Sequence, residues 1–247
     1  MASDWFRRFT PAPDSGVRLF CFPHAGGAAG AYLALSRRLA PELDVLAAQY
    51  PGRQDRRTEP PLDDLGRLVD ALADELTPLC GDGDRPYAFL GHSMGALVAY
   101  ELTRALDRRG LPGPRHLFLS GRSAPAESDT MDRLDTDEAI LARIRLLGGT
   151  AVEILDEPEL MELVMPPLRA DYRALCSYAW RPGPPLRTPL TVLVGDSDPL
   201  VPVEAAAAWR EHTTADSDLR VLPGGHFYLD AHTETVADII RTPLEAA

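Results

Sequence analysis

The chain has 247 residues, 45% of them hydrophobic and 25% charged, which is enough apolar material for one sizeable core. Its 25 basic residues are all arginine and are outnumbered by 37 acidic ones, which gives a formal charge of −12. This balance argues against a nucleic acid or an anionic membrane as the main partner of the surface.

The N-terminal segment and the cysteines indicate a cytoplasmic protein. The segment lacks the apolar core of a signal peptide, and no apolar run reaches the roughly 20 residues needed to span a bilayer. Cys21, Cys80 and Cys176 are odd in number and far apart, without the close pairing typical of a metal site. We therefore expect free thiols in a reducing compartment and no bound metal.

Short apolar segments bounded by Gly, Pro or Asp recur along the chain and predict strands. In chain order they are Val17–Phe22 and residues 45–48, 87–90, 116–119, 190–194 and 219–222. Helix-length stretches separate most of them, which favours a mostly parallel sheet with helices on both faces. The predicted fold class is α/β, in a single domain over residues 1–247.

Two stretches between these strands have a helical pattern. The first carries apolar residues at spacings of three and four, which core packing alone explains: Leu65, Leu68, Val69, Leu72 and Leu76. The second, residues 124–187, contains more than 60 residues without a good strand. We predict that it forms a helical lid inserted between two sheet strands rather than a second domain.

The segment FLGHSMGAL, residues 89–97, places Ser93 between Gly91 and Gly95. Taken alone this spacing is weak evidence, because a glycine-rich turn with a locally hydrogen-bonded serine fits it too. Here an apolar strand precedes the serine and an amphipathic helix follows it, and the glycines let the two backbones approach closely. This context predicts a nucleophile elbow that lifts the Ser93 hydroxyl to the carboxyl edge of the sheet.

A serine nucleophile needs a base that takes its proton and a third group that orients the base. In this architecture the acid and the histidine follow the serine in that order, each in a loop after a strand. His226 lies in the glycine-rich segment LPGGHFYL, where we expect a mobile, exposed imidazole. The other downstream histidines are interpreted as structural or solvent-facing: His116, His212 and His232.

The segment VGDSDPLVP offers two aspartates at the end of a predicted strand. Asp196 stands where aspartates often accept hydrogen bonds from the turn backbone. Asp198 is better placed to project from the loop toward His226. We prefer Asp198 as the acid and keep Asp196 as the alternative.

The oxyanion of an acyl-transfer intermediate needs two backbone N–H donors. Met94 follows the nucleophile and supplies one candidate, and the loop FPHAGGAAGAY after the first strand supplies Ala25 as the other. A phosphate-binding loop is the competing interpretation of AGGAAG, but the loop lacks the Gly, Lys, Ser/Thr ending. His24 is interpreted as a residue that shapes this loop or the mouth of the site.

Five segments in order resemble the type II thioesterases, stand-alone α/β-hydrolases that accompany modular polyketide and nonribosomal peptide synthases: CFPHAGG, YPGRQDR, FLGHSMGALVAYEL, VGDSDPLVP and LPGGHFYL. The resemblance covers nearly the whole chain. It implies transient contact with acyl or peptidyl carrier proteins, and hydrolysis of aberrant or stalled acyl groups from their phosphopantetheine arms. It also implies Ser93 as nucleophile, Asp198 as acid and His226 as base, with no cofactor.

The position of the acid separates the editing enzymes from chain-terminating thioesterase domains. The latter typically hold the acid after the strand that follows the nucleophile helix. That place here reads LSGRSAP, with no carboxylate before Glu127. The resemblance therefore favours the editing type, and the free ends of a 247-residue chain agree with it.

The lid segment offers flexible or aromatic side chains suited to covering an acyl chain: Met161, Leu163, Met165, Leu168 and Tyr172. Packing of the lid on the sheet explains each of them equally well. Local arginines are candidates for contact with an acidic carrier protein: Arg169, Arg173 and Arg181. Two other function classes stay open, a general carboxylesterase for free small esters and a non-catalytic binding module on the same fold.

Overall fold

The computed structural model describes residues 4–80, 85–125, 134, 136–148 and 157–245. The strands in these ranges are β1 (Phe6–Arg7), β2 (Val17–Phe22), β3 (Leu43–Ala48), β4 (Tyr87–His92), β5 (Leu117–Ser120), β6 (Leu190–Gly195) and β7 (Ser217–Leu222). The helices are α1 (Leu33–Leu39), α2 (Leu65–Cys80), α3 (Met94–Arg108), α4 (Asp137–Leu147), α5 (Pro158–Ser177), α6 (Val203–Ala207), α7 (Tyr228–Ala231) and α8 (Thr233–Glu245).

Within the described residues the strands form one sheet in the order β1-β3-β2-β4-β5-β6-β7. All neighbouring pairs from β3 to β7 are parallel, and each of these strands overlaps a segment predicted from the sequence. The predicted α/β class is confirmed. Strand β1 was not predicted; it pairs antiparallel with β3 through two residues, too few to show a periodicity.

Apolar side chains cover both faces of the sheet. Along β2, Phe20 and Phe22 pack on the face that holds α2 and α3, whereas Leu19 and Cys21 pack on the face that holds α1 and α8. Successive side chains of a strand point to opposite faces, so a strand buried on both sides must be apolar at every position. This is why β2 to β6 are mostly apolar, and why the stripe on α2 is buried. Strand β7, at the edge of the sheet, is largely exposed.

The predicted lid segment contains α4 and α5, which pack against each other, and α5 also packs against α2. Its residues 126–133, 135 and 149–156 lie outside the described residues, as does Glu127. The helical character of its described part agrees with the sequence. The assignment of one domain with a lid at 124–187 stays a prediction.

Among the described helices, none combines the length and the apolar composition that crossing a bilayer requires.

Candidate active site

The turn between β4 and α3 holds Ser93 in a conformation that few non-glycine residues adopt. Its φ is 55° and its ψ is −113°, and its N–H donates to the carbonyl oxygen of Ser120 at 2.8 Å. Such strain costs about 1–3 kcal/mol and persists only where the surroundings fix the backbone. Ser93 lies at the carboxyl edge of the sheet, between β4 and α3, and its side chain is half-buried.

The two glycines of this turn have no room for a side chain. A Cβ on Gly91 would lie 2.0 Å from the carbonyl oxygen of Gly95, and a Cβ on Gly95 would lie 1.9 Å from that of Phe22. Both obstacles are backbone atoms that cannot rotate away. The glycines thus let α3 begin directly against the end of β2.

We expect Gly95→Ala to lower the free energy of unfolding by at least about 4 kcal/mol, because the helix start must move away from β2. Urea denaturation followed by circular dichroism measures the loss. Gly16→Ala is the matched control, since no atom lies within 4 Å of the added Cβ and the substitution should be close to neutral. A Gly95→Ala protein as stable as the control would show that the turn is not closely packed.

The loops after β6 and β7 bring Asp198 and His226 together. Oδ2 of Asp198 lies 2.7 Å from Nδ1 of His226, and the two side chains are 0% and 2% exposed. The other carboxylate oxygen accepts from the N–H of Leu200 at 2.9 Å, which fixes the plane of the carboxylate. Nε2 of His226 is buried and has no hydrogen-bond partner among the described residues.

The expectation of an exposed His226 is wrong, because its side chain is buried. The rings of His92 and Phe227 lie 5.0 Å and 5.2 Å from its ring, centroid to centroid, and cover it. A Cβ on Gly195 would lie 2.3 Å from the carbonyl oxygen of Gly224, so the two loops are in close contact. Gly195 thus lets the end of β6 touch the backbone of this loop, and Gly224 adopts a φ of +117° that favours glycine.

Asp196, the alternative acid, faces the turn instead of the imidazole. Its Oδ1 accepts from the N–H of Gly224 at 3.0 Å and from the hydroxyl of Ser197 at 3.0 Å. These hydrogen bonds lower the pKa of its carboxyl group, the Gly224 bond contributing most. Asp196 thus ties the end of β6 to the loop that carries His226.

The remaining downstream histidines have partners away from Ser93. The ring of His116 hydrogen-bonds to Thr191 at 2.8 Å, that of His212 to Tyr100 at 3.2 Å, and that of His232 to the carbonyl oxygen of Pro223 at 2.9 Å. These contacts agree with the prediction that each of them is structural or solvent-facing.

Two further imidazoles surround His226. Burial lowers the pKa of His24 to about 4, and the nearby His226 and Arg53 act in the same direction. Burial also lowers the pKa of His92 well below its ordinary value, assisted by His226 and His24. Both rings are therefore neutral near pH 7 and form an uncharged wall beside His226.

The loop after β2 runs along the same site. Ala25 lies on it, and Met94 begins α3 directly after Ser93. The N–H of Gly26 donates to Asp171 at 2.7 Å and that of Ala29 donates to Gln49 at 3.0 Å. Because two of its N–H groups already have protein acceptors, this loop is not an open phosphate cradle.

A cavity of about 1260 Å³ joins these elements. His24, Ala25, Ser93 and His226 line it on the side of the sheet. The lid helix α5 supplies apolar residues on the opposite side, including all those predicted from the sequence: Met161, Leu163, Met165, Leu168 and Tyr172. A hydroxyl, an imidazole–carboxylate pair and a large apolar chamber thus meet in one place, an arrangement suited to transfer of an acyl group.

The family model of the thioesterase domain matches residues 17–244 of the chain. The chain belongs to the thioesterase family. Members of this family hydrolyse thioesters, and the site described above is of the serine-hydrolase type.

Similar proteins narrow the position of this thioesterase within its family. It is 46% identical over 237 residues to the probable cadicidin biosynthesis thioesterase of Streptomyces griseus, and 46% identical over 242 residues to thioesterase PikA5 of Streptomyces venezuelae. These matches cover 95% and 97% of the chain. The chain spans 64% of the length of the first relative, less than two thirds, and 85% of the second.

The fold matches a solved structure of the same class. The type II thioesterase BorB from the borrelidin biosynthetic cluster superposes with a TM-score of 0.86 at 44% identity, covering 99% of both chains. The predicted resemblance to type II thioesterases of polyketide and nonribosomal peptide pathways is therefore confirmed, together with the α/β-hydrolase fold.

Sequence reasoning missed several buried polar residues of this thioesterase. Oγ of Ser120, at the end of β5, hydrogen-bonds to Nδ1 of His92 at 2.9 Å and to the hydroxyl of Tyr228. Ser120 thus occupies the strand end where chain-terminating domains were expected to hold the acid. Arg53 and Asp171 form a buried ion pair beside the loop of Ala25. The segment YPGRQDR contains Arg53, but nothing in its pattern identifies a partner 118 residues away.

Proposed function

We propose that this thioesterase hydrolyses acyl groups from the phosphopantetheine arm of carrier proteins in polyketide or nonribosomal peptide biosynthesis. Its role would be editing, the removal of aberrant or stalled acyl groups, most of them short. The observation that carries the proposal is that Ser93 and His226, the latter paired with Asp198, line the same large apolar cavity. The biosynthetic clusters named for its relatives support the substrate class.

The proposed reaction is two successive acyl transfers. Ser93 Oγ attacks the thioester carbonyl carbon while Nε2 of His226 takes its proton, and the carbon–sulfur bond then breaks as the imidazolium returns the proton to the pantetheine sulfur. A water molecule, deprotonated by the same imidazole, attacks the acyl-serine ester. The carboxylic acid is released and the serine hydroxyl is regenerated. Nε2, buried and without a hydrogen-bond partner in the described part of the chain, is free to accept the first proton.

The remaining polar groups hold the reacting atoms. Asp198 accepts the hydrogen bond from Nδ1 of His226, which selects the tautomer with a free Nε2 and stabilises the imidazolium. The backbone N–H groups of Ala25 and Met94 would donate to the oxyanion of each tetrahedral intermediate. None of these steps uses a cofactor or a metal.

The apolar wall of the cavity is the proposed acyl site. Met165, Leu168 and Tyr172 are each 5–6% exposed, and Met161 lies beside them. Methionine side chains adapt to irregular shapes, so this wall fits acyl chains that differ in branching or length. That tolerance suits an enzyme that removes a variety of wrong groups.

The acidic surface of the protein limits how a carrier protein can dock, because carrier proteins are usually acidic too. Of the arginines considered for this contact, Arg169 makes a two-bond ion pair with Asp137 on α4, so its charge is already balanced. Arg173 is exposed on the same helix and remains the better candidate for a transient contact.

The proposal is tested by intact-protein mass spectrometry of a short-acyl carrier protein incubated with the enzyme. We expect the acyl mass to disappear with the wild type and to persist with Ser93→Ala. A p-nitrophenyl ester of the same acid is assayed in parallel. Hydrolysis of the free ester with retention of the acyl group on the carrier would indicate a general carboxylesterase, and no hydrolysis of either would indicate a binding module.

A further inference from the structure

Three buried side chains hold the loop that follows β2. Asp171 accepts from the N–H of Gly26 at 2.7 Å, Arg53 donates to the carbonyl oxygen of Gly27 at 2.9 Å, and Gln49 accepts from the N–H of Ala29 at 3.0 Å. These side chains are at most 5% exposed. Side chains from outside the loop thus hold its backbone at three residues, Gly26, Gly27 and Ala29.

Two of these side chains form an ion pair within the protein. The guanidinium of Arg53 donates to both carboxylate oxygens of Asp171, at 2.7 Å and 2.8 Å. Paired charges of this kind are weak evidence for stability, because the desolvation penalty offsets the attraction. A planar guanidinium that donates to both oxygens of a carboxylate does, however, fix the relative orientation of the two groups.

The lid helix α5 carries Asp171 and also packs on the loop one turn earlier. A Cβ on Gly26 would lie 2.6 Å from Cδ1 of Leu168, and the φ of Gly26 is +76°. Gly26 therefore allows α5 to touch the loop backbone directly. The carboxylate of Asp171 reaches the Gly26 N–H across this contact, so the lid helix and the loop form one packed unit.

The held atoms lie next to the backbone N–H of Ala25. A peptide chain has only two soft dihedral angles per residue, so fixing the peptide groups at Gly26 and Gly27 strongly restricts the direction of the Ala25 N–H. The N–H of Gly26 is occupied by Asp171 and cannot serve an oxyanion. The N–H of Ala25 has no acceptor among the described residues, and Ala25 lines the cavity.

We propose that Asp171 and Arg53 are positioning residues for the thioesterase reaction, holding the Ala25 N–H where the oxyanion of the intermediate forms. The lid helix is then part of the transition-state geometry as well as a wall for the acyl chain. This inference rests on the proposed function through the donor role of Ala25. Misplacement of a reacting group by about 1 Å costs on the order of 100-fold in rate, so the positioning effect is measurable.

The test compares Asp171→Asn and Arg53→Lys with the wild type on its best acyl substrate. We expect kcat to fall about 10- to 100-fold with KM within about 2-fold, because the displaced donor acts only in the transition state. An alkyl trifluoromethyl ketone, which forms an oxyanion on Ser93, should lose affinity by the same factor as kcat/KM. Asp137→Asn is the matched control, since it breaks an exposed ion pair between α4 and Arg169 of α5 that does not touch the loop.

A double variant, Arg53→Met with Asp171→Leu, removes both buried charges together and guards against misfolding of the single variants. We expect it to be folded with the same loss in kcat. Wild-type kcat and wild-type ketone affinity in a folded variant of Asp171 or Arg53 would overturn the positioning role, as would losses in KM alone. If the wild type cleaves only free esters, the proposed function fails, whereas the ratios between variants still decide this inference.

Discussion

Ser93→Ala is expected to lower kcat for hydrolysis of an acyl-carrier thioester by about 10⁶-fold, the loss typical of removing a serine nucleophile. No other hydroxyl stands in the strained turn between β4 and α3, where φ is 55° at Ser93. The variant keeps the Cβ and the backbone of the turn, so its folding should be unchanged. Single-turnover measurement with radiolabelled acyl carrier protein can detect a loss in rate of this size.

Ser197→Ala is the control for this substitution, because its hydroxyl lies in a neighbouring loop and hydrogen-bonds only to Asp196 among the described residues. It should retain a rate close to that of the wild type. Residual hydrolysis by Ser93→Ala within 100-fold of the wild-type rate would contradict the assignment of the nucleophile. An acyl-enzyme mass, visible in the wild type after rapid quenching, should be absent from the variant.

Asp198→Asn is expected to lower kcat by about 10⁴-fold without unfolding the protein. An amide can still accept from the N–H of Leu200, so the loop keeps its shape. Its NH₂ group cannot accept from Nδ1 of His226, and the imidazole is driven to the tautomer that carries its proton on Nε2. In that tautomer the ring cannot take the proton of Ser93.

Asp196→Asn distinguishes this effect from a general disturbance of the β6 loop. Its amide oxygen can still accept the turn hydrogen bond from the N–H of Gly224. We expect its kcat to stay within about 10-fold of the wild-type value, since the carboxylate does not touch the imidazole. The reverse result, a large loss at Asp196 and a small one at Asp198, would exchange the two roles.

The proposed editing activity and the proposed positioning pair concern different parts of one site. In the proposed reaction Ser93 attacks, His226 moves the proton and Asp198 orients the imidazole, each from the carboxyl end of a different strand. Arg53 and Asp171 come from a loop and from the lid helix, and they act on the backbone that faces the substrate. Comparing the variants on one substrate therefore separates the loss of a reacting group from the displacement of the backbone that faces the substrate.

The sequence by itself determined the features that depend on neighbouring residues. Short apolar segments located the strands β2 to β7. The pattern of a strand, two glycines and a helix located Ser93. Each of these signals lies within some 20 residues of chain. Asp198 and His226 were then chosen because each lies in a loop after a predicted strand, in the chain order serine, acid, histidine. Topology alone brings the carboxyl ends of parallel strands to one edge, so the candidate residues could be chosen before any distance was known.

Only the tertiary structure decided what depends on contacts between distant segments. It showed that the rings of His92 and Phe227 cover His226, that Ser120 hydrogen-bonds to His92 and Tyr228, and that β1 joins the sheet. It also paired Arg53 with Asp171, which lie 118 residues apart. A charged residue on a helix reads as solvent-facing until the element packed on it is known, because burial is a property of the assembled layers and not of the local pattern.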